Sequence, residues 1–134
     1  MTLTNQVDYA LREMMFLARS NSRGWTATNL IAKEMDIPKA FLSRINMLLV
    51  KADLLESQRG AKGGVRLAKE PGLISVYEIV SAIDGPVAVN KCLANPQECT
   101  FPMAAQYKAY WQQIQHCLDE RLIETNLKEL IEFH

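Results

Sequence analysis

Three patterns in the chain predict a mainly α protein with one small β-hairpin. Apolar residues recur at helical spacing through most of the sequence, two short helical stretches stand about three residues apart ahead of a Gly-rich basic segment, and a long amphipathic stretch comes late. With 134 residues, 49% of them apolar, the chain has the size of one domain with a real core. It reads as a single unit over 1–134, divided into a first part to about residue 84, a cysteine-containing loop to about 102, and a long helix with a tail to 134.

The first helix is predicted from Val7, Ala10, Leu11, Met14, Leu17 and Ala18, with Thr4 as its cap and the stretch SNSRG as its stop. Thr26 is expected to cap a second, short helix carrying Leu30, Ile31 and Met35, which MDIP ends because the residue before a proline is pushed out of the helical region. Pro38 suits a helix start, and Leu42, Ile45, Leu48 and Leu49 give a third helix its apolar stripe over 38–50. In ESQRGAKGGVRLAKEPG, short strands at 56–58 and 65–67 flank a Gly-rich basic loop, a hairpin pattern. Ser75 and Glu78 form a capping box for a helix with Val76, Ile79, Val80 and Ile83, closed by Asp84-Gly85-Pro86. The segment to Pro102 reads as an irregular loop. A long helix then carries Met103, Tyr107, Tyr110, Trp111, Ile114, Cys117, Leu118 and Leu122, and a short last helix carries Leu127, Leu130 and Ile131. Helix, turn, helix and basic hairpin in this order make residues 25–67 a winged helix-turn-helix candidate.

Lys plus Arg and Asp plus Glu balance at 15 each, so net charge alone names no partner. Its distribution says more. Residues 39–66 set Lys39, Arg44, Lys51, Arg59, Lys62 and Arg66 against Asp53 and Glu56, a net of +4, whereas 96–134 carry six carboxylates against three cations, a net of −3. A basic stretch in a neutral chain suits a face for a polyanion. No apolar run approaches the roughly 18 residues that span a bilayer, so no membrane partner is expected. The N-terminus also lacks a secretory pattern, which predicts a cytoplasmic protein.

Lys39, Ser43 and Arg44 lie off the apolar stripe of the third helix and are residue types that reach phosphates and base edges from the major groove. Arg59, Lys62 and Arg66 on the hairpin suit phosphate neutralisation beside the groove. The plainer alternatives are a solvated face and a flexible turn. A phosphate-cradling enzyme loop is the rival and is disfavoured, because VRLA after the glycines is strand-like rather than a helix start and no Gly-Lys-Ser/Thr sequence occurs. Catalysis is not expected either: the histidines are His116, in the late helix, and His134, at the end of the chain, and no Ser, His and Asp set forms around them. Asp8 and Arg12 are spaced as a surface ion pair worth about 0.3–0.5 kcal/mol.

Cys92 and Cys99 flank LANPQE in the loop, where ligands or reactive thiols have room, whereas Cys117 sits on the apolar stripe and reads as a small buried hydrophobe. The two loop cysteines lack the partners of a closed zinc site. The 103-107-110-114-117 spacing fits either pairing with a second copy or packing on the chain's own domain.

LTNQVDYALREMMFLA, the segment IAKEMDIPKAFLSRINMLLVKADLLESQRGAKGGVRLAKEP, ISVYEIVSAIDGP, the cysteine loop and TNLKEL together resemble the Rrf-two family of bacterial winged-helix regulators, which includes IscR-like and NsrR-like proteins. The resemblance implies a homodimer joined through the long helix and a repressor of a roughly palindromic double-stranded DNA operator. By position it implies Ser43, Arg44 and Arg59 as DNA contacts, with Lys39 and Lys62 on phosphates. Similar proteins hold an iron-sulfur cluster of the two-iron or four-iron type on three loop cysteines and control DNA affinity through it. Here Cys92 and Cys99 match the first two ligand positions, Ala105 stands at the third, and Asp8 matches the carboxylate that nitric-oxide-responsive members take from the partner subunit. Cys117, His116 or an exogenous molecule would complete such a site. Other readings stay open: a cluster-free redox sensor using Cys92 and Cys99 as a thiol switch, a relic loop, or a protein-interaction module.

Overall fold

The structure, a computed structural model, describes residues 3–20 and 24–134. Helix α1 (Asn5–Ser20) is the hub, and α2 (Thr28–Glu34), α3 (Lys39–Lys51), the strand pair β1 (Leu55–Gln58) and β2 (Gly64–Leu67), and α4 (Val76–Asp84) follow. A short helix α5 (Lys91–Ala94), the long α6 (Ala104–Glu124) and a final α7 (Leu127–Ile131) complete the order, with single 3-10 turns at Pro71–Leu73 and Pro96–Glu98. The end of α1 at Ser20 meets the predicted stop, of which residues 21–23 lie outside the described residues.

Thr4 caps α1 as predicted, its Oγ1 accepting from the Val7 N–H at 3.3 Å, and the same hydroxyl donates to Asp84 at 2.7 Å, tying the start of α1 to the end of α4. Half of the predicted capping box at α4 is present: Ser75 Oγ accepts from the Glu78 N–H at 3.0 Å, while the Glu78 carboxylate accepts from Lys69 at 3.0 Å and from the Ser75 hydroxyl at 3.4 Å. Gly85 then stops α4 in the left-handed region at φ 75°. Ala10, Met14 and Leu17 of α1 meet Ile31 of α2, Leu42, Ile45 and Leu49 of α3, Ile79 of α4 and Leu127 of α7 in one buried core. That burial, rather than helix propensity, holds helices as short as α2 and α7.

Three expectations need correction. Thr26 does not cap α2, which starts later with Ala27 at its cap and no side-chain hydrogen bond there. Thr26 instead pairs with Val65 through two backbone hydrogen bonds of 2.9 Å, a single antiparallel bridge on the other edge of β2. The segment after α4 is not wholly irregular, since α5 and the second 3-10 turn lie in it. Cys117 is exposed rather than buried.

That last correction reflects how α6 sits. The helix has no buried residue; Leu122 leans on Val7, Val76 and Val80, while Tyr110 is 58% and Ile114 38% exposed. An apolar cleft of about 440 Å³, lined by Leu11, Val80, Leu118 and Leu122 among others, remains between α6 and the body. The chain's own domain therefore covers one edge of the predicted stripe and leaves the other to solvent. No helix among the described residues is long and apolar enough to cross a membrane.

Candidate nucleic-acid interface and cysteine loop

Helix α3 buries Leu42, Ile45 and Leu49, which turns Lys39, Ser43 and Arg44 outward, all three exposed. No acidic residue occupies its first turn. Lys39 there works against the helix dipole, a local cost that an anionic partner would offset. The turn between α2 and α3 is pinned from α1: Arg12 donates to the carbonyls of Met35 and Asp36 at 3.3 and 3.1 Å and pairs with Asp8 at 2.7 Å. Asp36 adopts a left-handed conformation, φ 54°, as the turn requires. Tyr9 packs against Phe41 of α3 with the rings tilted and their centroids 5.3 Å apart. The expected Asp8–Arg12 ion pair is thus present, but Arg12 also holds the turn, a role that residue spacing within one helix cannot reveal.

β1 follows α3 directly and packs on it, and the hairpin pairs Leu55 with Leu67, Glu56 with Arg66, Ser57 with Val65 and Gln58 with Gly64. Its tip carries Arg59 and Lys62, both exposed. Two glycines are there for close packing rather than flexibility: a Cβ on Gly63 would strike the Gln58 carbonyl, and one on Gly64 the Thr26 carbonyl. Arg66 stands apart from the other candidates. Its guanidinium lies 4.2 Å above the Trp25 ring and 3.5 Å from Glu56, so it braces the flank of the hairpin instead of its tip.

In the loop, Cys92 and Cys99 are joined as a disulfide with Cα atoms 5.5 Å apart. Cys92 is buried, and its N–H donates to the Asn90 side chain at 2.7 Å. The loop is fastened to α6 at three points. Asn90 donates to the Tyr107 hydroxyl at 3.3 Å, Lys108 donates to the Pro96 carbonyl at 3.0 Å, and Gln115 both donates to Val87 O and accepts from the Val89 N–H. Asp8 is engaged with Arg12, Cys117 lies farther along α6, and His116 pairs with Glu120 at 3.0 Å. Among the described residues no three His, Cys, Asp or Glu side chains gather as one set of metal donors.

Sequence reasoning also missed Glu13. It lies on the buried face of α1 with no exposure, and burial pushes its carboxyl up to about 8. Its position, three residues after Ala10 and four before Leu17, places a carboxyl on an otherwise apolar stripe.

A turn-linked helix pair whose second helix offers a polar outer face, followed at once by a basic hairpin, is the arrangement of a winged-helix DNA-binding regulator. The chain belongs to the Rrf2 family: the family model described as "Iron-dependent Transcriptional regulator" matches residues 3–133. The NsrR regulator of Geobacillus kaustophilus is 35% identical over 100 residues, covering 74% of this chain and 68% of that protein. Among solved structures, CymR, the global cysteine regulator of B. subtilis, superposes with a TM-score of 0.82 at 26% identity, covering 100% of this chain and 98% of that one. The oxidized form of Staphylococcus aureus CymR gives 0.77 at 28% identity over the same shares.

Proposed function

We propose that this chain is a cytoplasmic homodimeric repressor that reads a palindromic operator with α3 and the hairpin of each subunit, under redox control from Cys92 and Cys99. Lys39, Ser43 and Arg44 enter the major groove, Arg59 and Lys62 neutralise phosphates beside it, and Arg66 contributes by bracing the hairpin. The exposed edge of α6, with Tyr110, Ile114 and Cys117, packs on its counterpart in the second subunit.

The observation that carries the redox reading is the disulfide itself, in a loop fastened to α6, the helix assigned above to the subunit contact. Closing it removes one proton and one electron from each thiol; a hydroperoxide accepts both pairs and leaves as an alcohol and water. Reopening by a dithiol frees the loop, and the change in how α6 is held alters the spacing of the two reading helices. A coupling of this kind typically changes affinity by about 5- to 150-fold.

A second reading is favoured by the iron-dependent description of the family. One chain does not supply the four donors of an ordinary cluster, because Cys92 and Cys99 are its only loop thiols and Ala105 has no donor atom. An iron-sulfur cluster would need both thiolates released, with Asp8 of the partner subunit as a third ligand. One experiment separates the two. Protein purified without oxygen and found colourless and iron-free, with DNA affinity that differs between its dithiol and disulfide forms, supports the switch. A brown protein with iron and acid-labile sulfide, lost in Cys92→Ala, replaces the switch with the cluster. Equal affinity in both forms without iron contradicts both.

A further inference from the structure

Glu13 is wholly buried in α1, and the Asn46 side chain of α3 reaches it: with the amide nitrogen facing the carboxyl, the orientation that gives both groups a partner, it lies 2.6 and 2.8 Å from the two oxygens. Both residues occupy positions that helical spacing assigns to apolar stripes. Glu13 lies among Ala10, Met14 and Leu17, and Asn46 follows Leu42 by four residues and precedes Leu49 by three. The bond thus crosses the apolar seam between the hub helix and the helix that faces outward with Ser43 and Arg44.

Apolar side chains pack with similar gain over a range of small rotations and slides, because their attraction has no direction. A hydrogen bond to a buried carboxyl does not, since any other register parts the half-buried Asn46 from Glu13 and leaves the carboxyl unpartnered in the core. Single buried polar residues fix the register of packed helices in this way. The tie also survives titration. An ionised Glu13 accepts from the amide nitrogen, and a neutral one donates to the amide oxygen after a half turn of the amide.

We propose that the Glu13–Asn46 pair is a positioning device that sets the seat of α3 on α1, and through it which bases Ser43 and Arg44 meet; this rests on the DNA-reading assignment above. Neither residue touches DNA. The pair acts on discrimination between sequences, because contacts to phosphate tolerate small rotations of the helix better than contacts to base edges do.

The test uses the full chain in one fixed redox state and a duplex that the wild-type protein selects from a randomised pool. The readout is the ratio of its Kd for a random duplex to its Kd for the selected one. Selection of a defined sequence by the wild type, with that ratio lost in Arg44→Ala, tests the DNA-reading assignment separately. Glu13→Gln keeps the tie without the charge and is expected to stay within about twofold of the wild-type ratio. Glu13→Met, and the double change Glu13→Met with Asn46→Leu, cut the tie while filling the core. Both are expected to lose about tenfold of the ratio, the share of one bidentate base contact, and the double variant, which removes both polar groups, to keep an undiminished melting temperature. The double variant is the safeguard should Glu13→Met alone leave Asn46 unpartnered and unfold. A folded double variant with the wild-type ratio overturns the proposal, as does a folded Glu13→Gln that loses it.

Discussion

At the residue scale, polar groups inside the core and glycines in the hairpin carry consequences that the apolar pattern does not. Glu13 has its carboxyl raised from 4.5 to about 8 by burial. The unfolded chain therefore releases this proton at lower pH than the folded one. The stability at stake is fully present below the unfolded value and drains away as pH rises toward and through 8, by up to about 1.4 kcal/mol for each pH unit. Denaturant titrations from pH 5 to 9 are expected to show this fall in the wild type and a flatter profile in Glu13→Gln; parallel profiles would mean that Glu13 is ionised in the folded protein. Gly64→Ala forces a Cβ onto the Thr26 carbonyl at a position already at φ 148°. It is expected to destabilise the protein by about 1–3 kcal/mol and to weaken DNA binding, as read by thermal melting and a gel shift.

At the element scale, the winged helix was legible in the sequence almost throughout. Capping residues such as Thr4 and Ser75 act locally, and the stripes at Leu42, Ile45 and Leu49 have a period that only a helix satisfies. Thr26 was misread because its residue type suits a cap, whereas its backbone is claimed by Val65, a partner far away in the chain. The same limit hid the tie from Arg12 to the turn and that from Asn46 to Glu13, both of which cross between helices. Of the candidate site, the outward-facing Lys39, Ser43 and Arg44 and the tip residues Arg59 and Lys62 followed from periodicity and charge, while Arg66 required knowing where Trp25 folds back. Arg12→Ala removes two charge-assisted bonds from the turn. An expected loss of about 1–2 kcal/mol would register as a lower denaturation midpoint, with DNA affinity reduced alongside it; an unchanged midpoint would leave the turn held by packing alone.

At the scale of the whole molecule, the apolar edge of α6 is the feature that one chain does not account for. Tyr110 and Ile114 are large, apolar and exposed on a helix whose other edge rests on the body. Exposed apolar surface of this kind marks an association site. Ile114→Glu is expected to convert a sedimenting dimer into a monomer and to lower DNA affinity strongly, because two half-sites are then bound independently. The cysteine loop is fastened to this same helix, and its chemistry is not legible in the sequence. The spacing of Cys92 and Cys99 fits a disulfide or a pair of ligands equally well, and only folding brings them within bonding distance.

The central claim, that α3 and the hairpin tip form a DNA-binding surface, is tested most directly by the salt dependence of binding to the selected duplex. The wild type is expected to lose affinity steeply as salt rises, Arg59→Ala to reduce the slope of log Kd against log salt by about one phosphate contact, and Arg44→Ala to abolish the preference over a random duplex. Binding that ignores salt, or that both variants leave untouched, would contradict it.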